Sequence, residues 1–215
     1  MCGRFYIDDE TAREIQKLVR TTEDKIQRAI AEVGLNLPKD VHPGEFAPVL
    51  NRGIDGSALC CEWQKWGFQG WKSDGTKEQR TPGKRGTLIF NARCETVRER
   101  PMFREHMLRH RIIVPASGFY EWNRQKEKFT FTGKDRKVLF LAGIYRPTEQ
   151  GKSFVILTTG ANVSMQDVHD RMPLILEEEE IEDWLYRSDQ AEKLLQKVPC
   201  ELAGKTEYRQ MGLFE

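Results

Sequence analysis

Apolar positions along the chain follow two periods. Near the start, Ile15, Leu18 and Val19 recur at helical spacing in DDETAREIQKLVR, behind Asp8 or Asp9 as a cap. A second helix is expected from about Thr22 to Val33, with Gly34 as its stop. The pattern then turns to strand. VHPGEFAPVLNR reads as a proline-punctuated loop passing into a strand, and SALCCEWQKWGF as a strand. TLIFNARCET is a strand ending in polar residues, and RIIVPASGFYEW is strand, break, strand. KFTFTGKDRKVLFLAGIY predicts a hairpin turning near Gly133 and Lys134, then a buried strand; SFVILTT is another buried strand. QGWKSDGTKEQRTPGKRG is a long polar loop rich in glycine. Thr96-Val97-Arg98-Glu99 fits a capping box, predicting a helix from there to about Arg109. GANVSMQDVHDRMPLIL is a loop carrying His169, followed by a short strand, and EEEEIEDWLY opens a helix with acid in its first turn. Strands come in runs without β-α-β alternation, so the class is α+β with mainly antiparallel pairing.

The 215 residues suffice for one domain with a core, and 31% charged with 39% hydrophobic residues describes a soluble globular chain. No stretch approaches the roughly 18 apolar residues of a membrane span. The acidic IDDE near the start is unlike a signal peptide, so the expectation is a cytoplasmic protein with reduced thiols. Cys2, Cys60, Cys61, Cys94 and Cys200 are odd in number and form no C-x-x-C pair, which argues against a disulfide framework or a zinc finger. Adjacent Cys60 and Cys61 would point to opposite faces of a strand and read as packing residues. No cofactor and no metal are expected. Net charge is +1, yet residues 77–111 hold ten Lys/Arg against four acids, a net +6. Such a tract can follow a phosphate backbone or be an ordinary solvated surface.

Four places could carry chemistry. If Met1 is removed, Cys2 presents an amine and a thiol on one residue. The amine can attack an aldehyde to give a Schiff base, and the thiol can close onto the imine carbon as a five-membered thiazolidine. A cysteine at position 2 can equally be an accident. In GFYEWN, alternation turns Glu121 away from Tyr120 and Trp122; it is a desolvated proton donor or a surface glutamate. In DVHDRMP, His169 lies between Asp167 and Asp170 with Arg171 close by, a general acid–base or an exposed side chain. In FNARCET, Asn91 and Arg93 share one face and could hold a sugar hydroxyl and a phosphate, or simply end a strand. His106 and His110 are expected on the surface of the basic helix, and His42 in a loop.

MCGRF, WGF, NARCET, GFYEW and DVHDRMP occur in the order seen in the SOS-response-associated peptidase-like (SRAP) family, which this chain resembles from residue 2 to about 176. The resemblance implies one domain over 1–215 with a barrel-like twisted sheet and flanking helices. It implies a monomeric sensor and shield of abasic sites in single-stranded DNA, nucleoid-associated when bound, that crosslinks once through Cys2 after loss of Met1. Autoprocessing, peptidase-like and abasic-site lyase chemistry come with the same resemblance. By the same resemblance, Asn91 lies beside the crosslink, Glu121 assists ring opening or Schiff-base proton transfer, and His169 is the acid–base that helps reverse the crosslink. Arg4, Arg93 and Arg171 would contact the DNA backbone, and Thr158 would line the same site. Trp66, Gly67, Phe68 and Trp71 would form an aromatic segment flanking the DNA channel. One departure is Asp40-Val41-His42-Pro43, where the family commonly shows Asn-x-Ala/Ser-Pro; Pro43 remains as a wedge against bases. Two other readings stay open. One is an N-terminal-cysteine hydrolase with Cys2 as nucleophile and its amine or His169 as base. The other is a non-catalytic single-stranded DNA-binding module with 77–111 as its footprint.

Overall fold

The computed structural model of the protein describes residues 2–18, 39–53, 59–70 and 87–206. The helix expected at 22–33, most of the 69–86 loop and Trp71 lie outside the described residues.

Five strands close into a ring. β3 (Phe46–Arg52) pairs with β4 (Leu59–Trp66) and β8 (Arg111–Ala116). β8 pairs with β11 (Leu139–Thr148), β11 with β12 (Gly151–Gly160), and β12 returns to β4. The last pairing is parallel, Ser153 opposite Lys65 and Phe154 opposite Trp66. On the rim, β12 also carries β7 (Asn91–Arg93) in parallel and β13 (Arg171–Pro173) antiparallel, while β14 (Ile175–Leu176) edges β11. A second sheet runs β15 (Leu202–Thr206), β10 (Lys128–Gly133), β9 (Gly118–Trp122), β1 (Phe5–Ile7), β2 (Lys39–Val41). β5 (Phe68–Gln69) and β6 (Leu88–Ile89) form a two-stranded ladder. All pairings but the two parallel ones on β12 are antiparallel, so the α+β, mainly antiparallel expectation holds.

The ring separates two cores, and the strand period of two sorts side chains between them. Ile112 and Val114, Leu139 and Leu141, and Phe154 and Ile156 face one core with Phe5 and Trp66. Ile113, Phe140, Val155 and Leu157 face the other, where Phe103, Met107 and Trp184 pack. With both faces buried, the central strands read as unbroken apolar runs, which is why 139–144 and 153–159 were legible as buried strands.

The flanking helices are α1 (Asp9–Leu18), α2 (Pro101–Arg109), α3 (Ile181–Tyr186), preceded by a 3₁₀ turn at Glu178–Glu180, and α4 (Ser188–Leu194). Asp8 caps α1: its Oδ1 accepts from the Thr11 amide at 2.8 Å, and Ile15 is buried. Cys61 packs against the helix-side core, and burial pushes its thiol up to about 12.

Three expectations need correction. α2 starts at Pro101, not at a capping box on Thr96. Arg100 precedes a proline and is held extended (φ −74°, ψ 122°), so no helix can run through it, and Pro101 takes the first helical position. The predicted hairpin at 133–134 does not form. β10 has both edges occupied by β9 and β15, and residues 134–138 carry the chain across to the ring, where β11 pairs with β8 and β12. Arg111, placed by sequence in the basic tract, is buried, its guanidinium donating to the carbonyls of Met107, Leu108 and Trp184.

Candidate active site

The site forms where the start of the chain meets the ring. β1 lies between β9 and β2, with Phe5 opposite Phe119 and Val41. Gly118 permits this approach, since a Cβ there would fall 2.5 Å from the Phe131 carbonyl oxygen and 2.7 Å from the Tyr6 ring. The Tyr120 amide donates to the Arg4 carbonyl at 2.9 Å, extending the ladder one rung toward Cys2.

Cys2 is buried in the core that holds Phe5 and Trp66. Its carbonyl accepts from Asn91 Nδ2 at 2.8 Å. Asn91 is held by parallel pairing of β7 on β12, opposite Ile156. Its Oδ1 is buried and has no hydrogen-bond partner among the described residues, which leaves an acceptor available beside Cys2. Burial pushes the Cys2 thiol well up, and the nearby Glu121 carboxylate pushes it further, so the sulfur is a neutral thiol near pH 7. Glu121 faces inward and is 4% exposed, whereas Tyr120 and Trp122 face outward, as strand alternation predicts. Its Oε2 accepts from the Trp122 amide at 3.4 Å.

His169 sits on the turn between β12 and β13. Its Nδ1 lies 2.9 Å from both the Arg171 amide and Asp170 Oδ1. The Arg171 amide can only donate, so Nδ1 accepts in that contact. Arg171 spans the rim: Nη1 and Nη2 grip Glu95 as a two-point pair, and Nη2 also reaches the Thr158 carbonyl at 2.5 Å. Thr158 is buried, its hydroxyl 3.5 Å from the Ala92 carbonyl. Arg93, opposite Thr158 on β7, is exposed.

Arg4 is ion-paired with Asp40 and stacks over Tyr120 at 5.0 Å, while Tyr120 Oη donates to Asp40 Oδ1 at 3.1 Å. The Asp40 departure thus has a partner on the same face. Pro43 and Gly44 (φ 96°) make the β2–β3 turn, which the Trp66 carbonyl pins by accepting from the Gly44 amide at 2.7 Å.

Of the aromatic segment that the resemblance sets along the DNA channel, the rings of Trp66 and Phe68 lie in the core. Trp66 is fully buried, parallel to Phe154 (6.2 Å, 4°), with Nε1 donating to the Phe90 carbonyl at 2.8 Å. Phe68 is fully buried under Arg146 and against Phe103. Neither ring has a face left for a base. Among the described residues an exposed aromatic, Trp122 at 38%, follows Glu121 directly in sequence. Sequence alternation around Glu121 could have found it, because the residues opposite an inward glutamate face out. His106 and His110 are half-buried, not surface side chains: their Nδ1 atoms are 2.9 Å apart, and His110 stacks on Tyr145. Among the described residues no three His, Cys, Asp or Glu side chains are grouped to hold a metal, and no helix is long and apolar enough to cross a membrane.

Comparison with known proteins fits this arrangement. The family model for SOS response associated peptidase (SRAP) matches residues 1–210. The chain is 32% identical over 196 residues to abasic site processing protein YoqW of Bacillus subtilis, covering 86% of this chain and 80% of that one. It is 34% identical over 199 residues to abasic site processing protein YedK of Escherichia coli, covering 86% and 79%. A crystal structure of a protein from Bacteroides thetaiotaomicron shares the fold, with TM-score 0.71 at 23% identity over 95% of this chain and 91% of that one. With that model matched over residues 1–210, the chain belongs to the SOS response associated peptidase (SRAP) family.

Proposed function

We propose that this chain senses and shields abasic sites in single-stranded DNA by forming a thiazolidine crosslink through Cys2, freed by removal of Met1. The observation that carries the reading is the clamp on residue 2: Asn91 holds its carbonyl while the buried Glu121 carboxylate acts on its thiol. The names of the relatives, abasic site processing proteins, support the substrate.

In this reading Glu121 and His169 assist opening of the sugar hemiacetal to the aldehyde by proton transfer. The Cys2 amine adds to C1′, and loss of water leaves the imine. The neutral thiol then adds to C1′ while its proton passes to the imine nitrogen, closing the ring. A thiol kept protonated by burial suits this order, with the amine attacking first. Asn91 positions the sugar, Arg93 meets a flanking phosphate, and Trp122 stacks on a base in a sequence-tolerant way. The chain acts once per molecule, as a monomeric single domain over 1–215.

The test is incubation with a single strand carrying one abasic site, followed by a denaturing gel, with intact mass to establish loss of Met1. A shifted band absent in Cys2→Ala supports crosslinking. No band from chain whose Met1 is removed sinks it, and turnover of amides instead would favour a hydrolase.

A further inference from the structure

We propose that Asp40 is a specificity-determining residue: by engaging Arg4, it withholds one cation from the phosphate backbone, weakening reversible binding of intact single strands so that retention depends on the covalent bond. This rests on the single-stranded DNA reading above. Arg4 lies two residues from Cys2 on the outer face of the β2–β1–β9 sheet, where Tyr6 is opposite Asp40 and the Arg4 carbonyl accepts from the Tyr120 amide. It is a cation well placed to meet the phosphate beside a lesion held at Cys2. Its charge is nonetheless engaged. One Asp40 oxygen takes Arg4 Nη2 and the other takes the Tyr120 hydroxyl. The pair is about one-third exposed, side chains at 29% and 34%, so strand can reach it and salt can screen it. Arg4 Nε is buried without a hydrogen-bond partner among the described residues, so the carboxylate grips the guanidinium by one edge only.

An arginine already neutralised by a carboxylate releases no counterion when a strand arrives, and a phosphate must displace Asp40 to use it. Each cation that truly neutralises a phosphate adds about 0.7 to the slope of log K against log salt for single strands. Asp40 therefore sets the affinity floor for undamaged DNA, a useful property in a protein that should let go of strands it cannot crosslink.

The experiment measures anisotropy of a labelled intact oligonucleotide, without abasic sites, across a salt series. Asp40→Asn, which keeps the shape and an acceptor for Tyr120, should bind several-fold tighter at low salt with a slope steeper by about 0.7. Arg4→Gln/Asp40→Asn, with no net change in charge, should return to the wild-type slope. Tyr120→Phe, which removes a hydroxyl but no charge, should leave that slope unaltered. An unchanged slope in Asp40→Asn, or a gain that persists without Arg4, overturns the proposal. Should Asp40→Asn melt too early to measure, the double variant decides: a slope shallower than wild type means Arg4 already serves the phosphate, and the proposal fails. No covalent step enters these readings, so a wild type that binds intact strands yet gives no crosslinked band fails the function above and leaves this comparison standing.

Discussion

Asn91 and Cys2, 89 positions apart in sequence, are joined by a 2.8 Å hydrogen bond from the side-chain amide to the Cys2 carbonyl. The bond holds the residue whose amine and thiol, in the proposed crosslink, both reach one carbon. Loss of positioning at the reacting atoms is expensive, on the order of 10²-fold for a misplacement of about 1 Å. Asn91→Ala is therefore expected to slow crosslinking roughly 10–100-fold while costing about 1 kcal/mol of stability. Single-turnover time courses on denaturing gels, alongside melting curves, measure both; an equal loss of strand affinity would instead make Asn91 a binding residue.

Glu121 is a buried carboxylate beside the Cys2 thiol. Glu121→Gln keeps the shape and removes proton transfer, so crosslinking should slow by roughly 10²-fold with reversible strand binding unaltered. Anisotropy on intact strand and the gel time course separate the two; unchanged crosslinking would remove Glu121 from the chemistry.

Trp66 and Trp122 should separate stability from binding. Trp66→Ala empties a buried site and should cost about 3–5 kcal/mol, read by denaturant unfolding. Trp122→Ala should melt close to wild type and lose roughly 1–3 kcal/mol of strand affinity, the worth of one stacked base. Equal affinity in Trp122→Ala would place the stacking surface elsewhere.

The His106–His110 pair predicts an acid-sensitive helix α2. Burial holds both imidazoles below 6.5; His110 and Arg146 lower His106 further, Lys152 and Arg109 lower His110 further, and Glu105 opposes both. Because the folded values lie below the unfolded one, unfolded chain binds protons first as pH falls. The stabilisation is full above about pH 6.5 and is lost progressively below it. Melting temperature against pH should fall between 7 and 5, and less steeply in His106→Gln; parallel profiles would exclude the pair.

Local pattern carried much of the molecule. The Asp8 cap, the buried runs at 139–144 and 153–159, the inward turn of Glu121 and the strand nature of 59–66 all follow from periodicity or hydrogen-bonding chemistry within a few residues. The five motifs in their order carry the family resemblance. The start of α2 is set by Pro101 and not by the capping-box pattern at Thr96, because the proline holds Arg100 extended, an equally local effect.

The remaining features depend on partners distant in sequence. Whether β10 turns back onto β11 or pairs with β15 depends on which edges are already occupied, and residues 128–148 hold no record of that. Trp66 and Trp122 both stand at strand ends in polar company. The first is buried because parallel pairing of β12 on β4 closes the ring over it, the second exposed because its strand turns Glu121 inward. The sequence by itself determined the aminothiol at residue 2, the strand alternation and the acidic and basic side chains available for chemistry. Only the tertiary structure decided which aromatic meets solvent, that Arg171 is tied to Glu95, and that Asp40 holds Arg4, because burial and charge pairing are set by contacts that ring closure creates between segments far apart in the chain.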